Sequence, residues 1–180
     1  TAFLVPGLTI NCYDERGDEE ITESFRFDGG VVDFANWLAN DGAVTDTWHI
    51  TGSGTYSETV QVLDPESGHL RATEVERTCD VDVALRWGIG YDTNLRSFVN
   101  IIATPKGGTH VAGFEQAVLK TLRAAIDKNA RKLKVGAKDG RPEKDDVQAG
   151  MTAVVTVRFP EPQFEGQTKE TLGTPQIRTV

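Results

Sequence analysis

Residues 164–173 read FEGQTKETLG, which sets a glutamine and a lysine two positions apart between two glycines. In an extended backbone residues i and i+2 project to the same side, so Gln167 and Lys169 would face together with Thr168 turned away. An amide donor beside an ammonium suits a terminal phosphate: the lysine supplies a point charge and the glutamine a directed hydrogen bond. Gly166 would let the backbone come close to such a ligand. The same letters also describe a surface loop without a ligand, and residue chemistry alone favours that plainer account.

Other stretches carry weaker chemistry. Gly107-Gly108-Thr109-His110 precedes a periodic apolar segment. Backbone amides at a helix start can hold an anion, but a Gly-Gly turn with Thr109 as N-cap explains the same letters. His110 lacks an identifiable nucleophile or orienting acid nearby, which argues against a general base. Gly52-Ser53-Gly54 lacks the Lys-Ser/Thr that completes a phosphate loop and reads as a hairpin turn. Asp14, Glu15, Asp18, Glu19 and Glu20 read as a solvated acidic loop. His49, His69 and His110 are scattered without metal-ligand spacing. Cys12 and Cys79 have no CxxC partner, so two reduced structural thiols are expected rather than a disulfide. No Ser/His/Asp set or carboxylate pair can be assembled, so no catalytic residue and no metal ligand is assigned.

The formal net charge is −8 over 180 residues, but residues 120–144 hold nine bases and three acids, leaving +6 there and −14 in the remainder. An acidic body with one basic segment argues against wholesale coating of DNA. It permits one local contact with a phosphate backbone, and a solvated helix face fits equally. The 38% apolar content supports a modest core. No run approaches the roughly 20 apolar residues of a membrane-spanning helix, so no membrane contact is expected. No secretory leader is visible and the chain opens at Thr1, from which a fragment of something longer is expected.

The elements that must position these residues follow from periodicity. Alternation predicts an extended entry strand over 1–14 with a turn signal at Pro6-Gly7, a second strand over 23–27 ending at Gly29-Gly30, and a short helix over 31–39. Residues 43–80 read as an added hairpin or flap, with turns at 53–56 and 64–68 around a short strand at 59–63. Strands are expected at 81–87 and 95–102. Val111, Phe114, Val118, Leu122, Ile126 and Leu133 keep one apolar stripe, predicting a long helix that Gly136 to Arg141 ends. Asp145 or Asp146 can cap a helical turn, and a strand over 153–159 closes at Pro160 and Pro162. The class is α+β, or α/β with one sheet: a single mixed sheet with the long helix covering one face.

The run TAVVTVRFPEPQFEGQTKETLG (152–173) resembles the signature of the B subunit of bacterial type IIA topoisomerases, DNA gyrase and topoisomerase IV. FLVPGLTI, DER at 14–16, FRFDGG at 25–30, VALRW at 83–87 and SFVNIIATPKGGTHVAGF at 97–114 follow the same order. The resemblance covers nearly the whole chain and implies that 1–180 is the transducer, the second domain of that subunit. It implies a ribosomal-protein-like fold with a left-handed βαβ crossover, against the usual right-handed rule. It carries over to Gln167 and Lys169 a contact with the γ-phosphate of ATP in the neighbouring nucleotide-binding domain.

ATP and Mg²⁺ would be bound mainly by domains outside this chain, which by itself would be inactive. The implied partners are DNA, the A subunit in a heterotetramer and a second B subunit in an ATP-dependent dimer. The implied location is the bacterial cytoplasm, at the nucleoid. Arg123, Lys128 and Arg131 would line the cavity holding a trapped DNA segment. Residues about 52–80 exceed what short family members carry, and the ending KETLGTPQIRTV is nearer the topoisomerase IV form than the KTKLGN form commoner in gyrase. A non-enzymatic nucleic-acid-binding domain of the same fold is the alternative. A small-molecule kinase of the related GHMP fold would need a glycine- and serine-rich loop ahead of a helix, which is absent.

Overall fold

The computed structural model describes residues 1–17, 21–65, 68–136 and 138–180. Asp18, Glu19 and Glu20 of the expected acidic loop, and Glu66 and Ser67 of the expected turn, lie outside the described residues. The strands are β1 (Ile10–Asp14), β2 (Ile21–Phe25), β3 (Trp48–Leu63), β4 (Leu70–Trp87), β5 (Asn94–Val99), β6 (Ile102–Ala103) and β7 (Met151–Arg158). The helices are α1 (Val31–Leu38), α2 (Thr109–Leu133) and α3 (Lys144–Gln148). Among the described residues the strands form a five-stranded mixed sheet, ordered β3-β4-β7-β5-β6, and a separate β1-β2 ribbon. The α+β class with a mixed sheet stands. The expectation of a single sheet is corrected, because β1 and β2 pair with each other apart from the larger sheet and stay largely exposed, Tyr13 and Ile21 included.

The chain divides into two compact units: residues 1–50, 82–95 and 149–154, and residues 51–81, 96–148 and 155–180. In the first, a single 3-10 turn (Ala2–Leu4) replaces the start of the strand expected over 1–14. There the Phe3 ring stacks on Phe27 at 3.7 Å and on Phe34 at 4.7 Å between centroids. Strand β2 begins two residues earlier than the alternation indicated, in the register Ile10 opposite Phe25 through Asp14 opposite Ile21. The glycines of FRFDGG serve α1. Gly30 adopts φ +58°, and a Cβ there would stand 2.9 Å from Pro6 Cγ. The Gly29 N–H, one residue ahead of the N-cap Gly30, donates to Asp33 Oδ2 at 2.9 Å, which ties the entering chain to the first turn of α1.

The second unit holds most of the β3-β4 hairpin, so a hairpin is present as expected within 43–80, but its first strand runs over Trp48–Leu63 where only a short strand at 59–63 was expected. The two ends of the turn expected at 64–68 are joined, Gly68 N–H donating to the Asp64 carbonyl at 2.8 Å. Gly52-Ser53-Gly54 lies inside β3 and not in a turn; Ser53 Oγ donates to Asp80 Oδ1 at 2.5 Å. The sheet order makes β3 an edge strand, exposed along most of its length, so its sequence lacks the alternation that marks a half-buried strand. The strand expected over 95–102 is two strands. Asn100 (φ +48°) and Ile101 (φ +67°) form a two-residue turn in which Val99 pairs with Ile102. Positive φ at both central residues matches the twist of a tight hairpin. The Asn100 side chain then bonds Phe159 both ways, Nδ2 to the carbonyl at 2.8 Å and Oδ1 from the N–H at 3.0 Å.

The core of this unit is Tyr56, Cys79, Val99, Val157, Phe159, Leu172 and Ile177, with Val81 and Phe164 packed against it. Strand β7 is an interior strand, and its residues 151–157 are buried on both faces. Helix α2 covers the predicted stripe from Val111 to Leu133, but His110 is its one fully buried residue. The stripe at Val111, Phe114, Val118, Leu122 and Ile126 is half-buried, and Leu133 is exposed. The helix is irregular at Asn129, and it ends earlier than expected at Lys134, which takes the left-handed conformation (φ +57°). Asp146 Oδ2 accepts the Glu143 N–H at 2.8 Å, the predicted cap of α3.

Candidate functional site

The loop at 164–173 has buried ends and an exposed tip. Phe164 and Leu172 bridge antiparallel to each other and belong to the core, with Leu172 only 1% exposed. Between them Glu165 N–H donates to the Thr171 carbonyl at 2.9 Å, and Gly173 N–H to the Gln163 carbonyl at 2.8 Å. The tip closes as a turn: Lys169 N–H donates to the Gly166 carbonyl at 3.4 Å, with Gly166 at φ +82° and Lys169 at φ +55°. Gln167, Thr168 and Lys169 are all exposed. The extended backbone that would have aligned Gln167 with Lys169 is therefore corrected. Gln167 occupies the second position of the turn and Lys169 its last, since Gly166 admits the positive φ that bends the chain. Lys169 Nζ stands 5.8 Å from the centre of the Phe164 ring, within cation–π range. Among the described residues it makes no ion pair.

The outgoing arm of the loop is stitched to the start of α2. Leu172 N–H donates to the Gly107 carbonyl at 3.0 Å, and its carbonyl accepts the Thr109 N–H at 3.1 Å. Thr109 Oγ1 donates to the Thr174 carbonyl at 2.8 Å. Thr109 is thus the first residue of α2 and not its N-cap; Gly108 takes that place, at φ +134°. The chain's own Leu172 carbonyl occupies an amide that an anion would need, so the helix start is not an open phosphate site. Further along, a Cβ at Gly113 would stand 2.6 Å from the Arg178 carbonyl oxygen, so α2 and the 3-10 turn Pro175–Arg178 approach backbone to backbone.

His110 sits beneath this junction. Its Nε2 lies 3.2 Å from Thr104 Oγ1, which in turn is 2.8 Å from Ser97 Oγ. Burial pushes its pKa down to about 4, and its Nδ1 is buried without a hydrogen-bond partner. A ring 3% exposed reaches no substrate, so the general-base reading is set aside. Sequence reasoning missed Lys106 and Glu170: Lys106 Nζ meets Glu170 Oε2 at 2.7 Å, and Lys106 N–H donates to the Glu170 carbonyl at 3.1 Å. They lie 64 positions apart, and no local pattern links them.

The basic segment is only partly free. Arg123 Nε donates to the Pro142 carbonyl at 2.8 Å, Arg141 pairs with Asp127 at 3.0 Å and Lys144 with Glu115 at 2.8 Å. Lys128 and Arg131 are exposed. Arg123 is half-buried, so the three residues grouped by sequence differ in what they can offer a ligand. Cys12 is exposed and Cys79 buried, both as free thiols. Among the described residues no cluster of His, Cys, Asp and Glu is placed to hold a metal ion, and no helix is long and apolar enough to cross a membrane.

The family model for DNA gyrase B matches residues 30–180. The chain belongs to the DNA gyrase B family. The DNA gyrase B protein of Streptomyces coelicolor is 35% identical over 195 residues, covering 99% of this chain and 25% of that protein. The DNA gyrase B protein of Campylobacter jejuni is 37% identical over 179 residues, covering 99% of this chain and 20% of that protein. The chain thus spans about a quarter or less of the curated relatives it matches. Among solved structures, the 43K ATPase domain of Thermus thermophilus gyrase B, in complex with an aminocoumarin, is similar with a TM-score of 0.68 and 29% identity. That match covers 99% of this chain and 41% of the other. The topoisomerase IV ATP-binding domain of Francisella tularensis, with a small-molecule inhibitor, matches with a TM-score of 0.64 at 24% identity over 99% of this chain and 41% of the other. At that identity the likeness speaks for the fold alone. The family match takes in the loop at 164–173, the Gly107–Thr109 junction and α2, the parts that carry the candidate chemistry.

Proposed function

We propose that this chain is the transducer, the second domain of the B subunit of a type IIA DNA topoisomerase, and that its loop at 166–169 senses the γ-phosphate of ATP bound in the neighbouring nucleotide-binding domain. In this reading residues 1–180 form the transducer in a ribosomal-protein-like fold with a left-handed βαβ crossover, and 52–80 is a hairpin elaboration. The whole enzyme is an isomerase of the bacterial cytoplasm that works at the nucleoid. It pairs the B subunit with an A subunit and with a second B subunit, and passes one DNA segment through another.

One observation carries the proposal: an exposed, turn-closed tip bearing Gln167 and Lys169 on arms anchored in the core. An ammonium that makes no ion pair among the described residues, and lies only against the Phe164 ring, remains available to an anion, and a pre-shaped turn lowers the entropy lost when it binds. ATP supplies the triphosphate, and its hydrolysis removes the group that Lys169 holds. Lys169 contributes a charge-assisted hydrogen bond of about 1.5–3 kcal/mol in one state and not in the other. That difference biases a two-state domain arrangement by at most the same amount per protomer. Among the described residues no ligand set for Mg²⁺ is present, and the ion would be held with ATP elsewhere.

The experiment is Lys169→Ala in the full-length B subunit. ATP turnover is expected to be abolished while the circular dichroism and melting temperature match wild type. Wild-type turnover in that variant would defeat the proposal. Charge reversal at Arg123, Lys128 and Arg131 is expected to weaken DNA-stimulated ATP turnover while leaving the rate without DNA in place. Unchanged stimulation would remove the DNA-cavity role of α2. The reading as a plain nucleic-acid-binding domain predicts instead salt-sensitive nucleic-acid affinity by the chain alone, against which its net charge of −8 works.

A further inference from the structure

The sensing tip has an acid as its immediate neighbour. Glu170 follows Lys169 in the chain, and Thr168 Oγ1 reaches back to Glu170 Oε2 at 3.2 Å, so this carboxylate lies beside the exposed turn. A free carboxylate there would attract the Lys169 ammonium and repel a phosphate. In the structure it is engaged elsewhere. Lys106 Nζ holds Glu170 Oε2 at 2.7 Å while the Lys106 N–H holds the Glu170 carbonyl at 3.1 Å, so backbone and side chain make the same match. The Lys106 hydrogen bond, with its charge and a smaller contribution from Thr168, keeps the Glu170 carboxyl below the usual carboxylate range.

Lys106 projects from a well-braced turn. Gly107 N–H donates to the Thr104 carbonyl at 2.8 Å, Thr104 N–H to the Ser97 carbonyl at 2.9 Å, and Thr104 is buried against Ser97 and His110. The loop's other acid, Glu165, lies along Gly173, where a Cβ would stand 3.3 Å from Glu165 Cγ. That places its stem at the base of the loop and not at the tip.

We infer that Lys106 is a positioning residue for the sensor: by pairing with Glu170 it keeps the acid next to Lys169 from competing for that ammonium, so the tip meets a terminal phosphate with its charge intact. The inference rests on the reading of 166–169 as a phosphate-sensing tip. Lys106, Lys169 and Glu170 together carry one net positive charge; without Lys106 they carry none. The pair is partly exposed, with side chains 68% and 37% accessible, so solvent moderates its effect. The expected change in anion affinity is roughly two- to fivefold at low ionic strength, shrinking as salt shortens the screening length.

The test uses the full-length B subunit and the non-hydrolysable analogue AMPPNP. The AMPPNP concentration for half-maximal dimerisation is read by sedimentation velocity, alongside KM and kcat for ATP. Lys106→Ala is expected to raise that concentration and KM roughly two- to fivefold, with kcat at saturation preserved and the shift fading in high salt. Lys106→Arg should restore the wild-type KM. Glu170→Gln added to Lys106→Ala should restore it too, because it removes the competitor; a scaffolding role for Lys106 would not be rescued this way. An unaltered KM in Lys106→Ala, or a double variant no better than the single, overturns the inference. If Lys169→Ala itself leaves AMPPNP-driven dimerisation unchanged, the sensing tip is the reading that fails. If Lys169→Ala is severe and Lys106→Ala silent, only the role of Lys106 falls.

Discussion

Gly108→Ala probes the junction that ties the sensing loop to α2. Gly108 sits at φ +134°, ψ −160°, a region open essentially only to glycine, where another residue is strained by about 1–3 kcal/mol. An added Cβ would also stand 2.5 Å from Leu172 N and 2.8 Å from Leu172 Cα. Backbone cannot step aside as a flexible side chain can, so relief requires the two segments to part. Parting them breaks the hydrogen bonds from Leu172 N–H to the Gly107 carbonyl and from Thr109 N–H to the Leu172 carbonyl, each worth about 1 kcal/mol net. The reduced freedom of the unfolded chain returns about 0.4–1 kcal/mol. The expected loss is about 3 kcal/mol, read as a lower urea midpoint at constant slope by far-ultraviolet circular dichroism. Gly166→Ala is the control. It also has positive φ (+82°) but nothing within 4 Å of its Cβ, so about 1 kcal/mol is expected from strain alone. If Gly108→Ala is no more destabilising than Gly166→Ala, the tight junction between the loop and α2 is refuted.

Two further outcomes follow from burial. His110 titrates near 6.5 when unfolded and at about 4 when folded, because burial penalises its charged form. Above pH 6.5 both states are neutral and the shift has no effect; between 6.5 and 4 only the unfolded state takes up a proton, so stability falls with acidification by up to about 3 kcal/mol. Comparing urea unfolding of wild type and His110→Gln at pH 7 and pH 4.5 checks this, and equal pH slopes would disprove it. In thiol labelling with a maleimide, Cys12 is expected to react in the native state. Cys79 is buried and its thiol is pushed up to about 11, first by desolvation and then by Asp80; it should label only on unfolding, and two fast sites in native protein would contradict the packing.

Local signals in the chain were sufficient wherever an element is specified by its own residues. The apolar spacing of α1 and α2, the Asp64-Pro65 turn and the cap at Asp146 are all settled within a few positions, because helix periodicity, proline and short polar caps act over one or two turns of backbone. The FEGQTKETLG stretch marked itself as the candidate site by residue type. Its conformation did not follow, since an exposed four-residue turn has no periodicity to read. Tertiary structure decided what depends on partners distant in the chain. It placed Gly52-Ser53-Gly54 in an edge strand opposite Asp80, where pairing overrode turn propensity. It buried β7 on both faces and took His110 out of solvent. It fixed Gly108 against Leu172 and Lys106 against Glu170, each pair 64 positions apart. Such pairings are set by sheet register and chain closure, which no window of neighbouring residues contains.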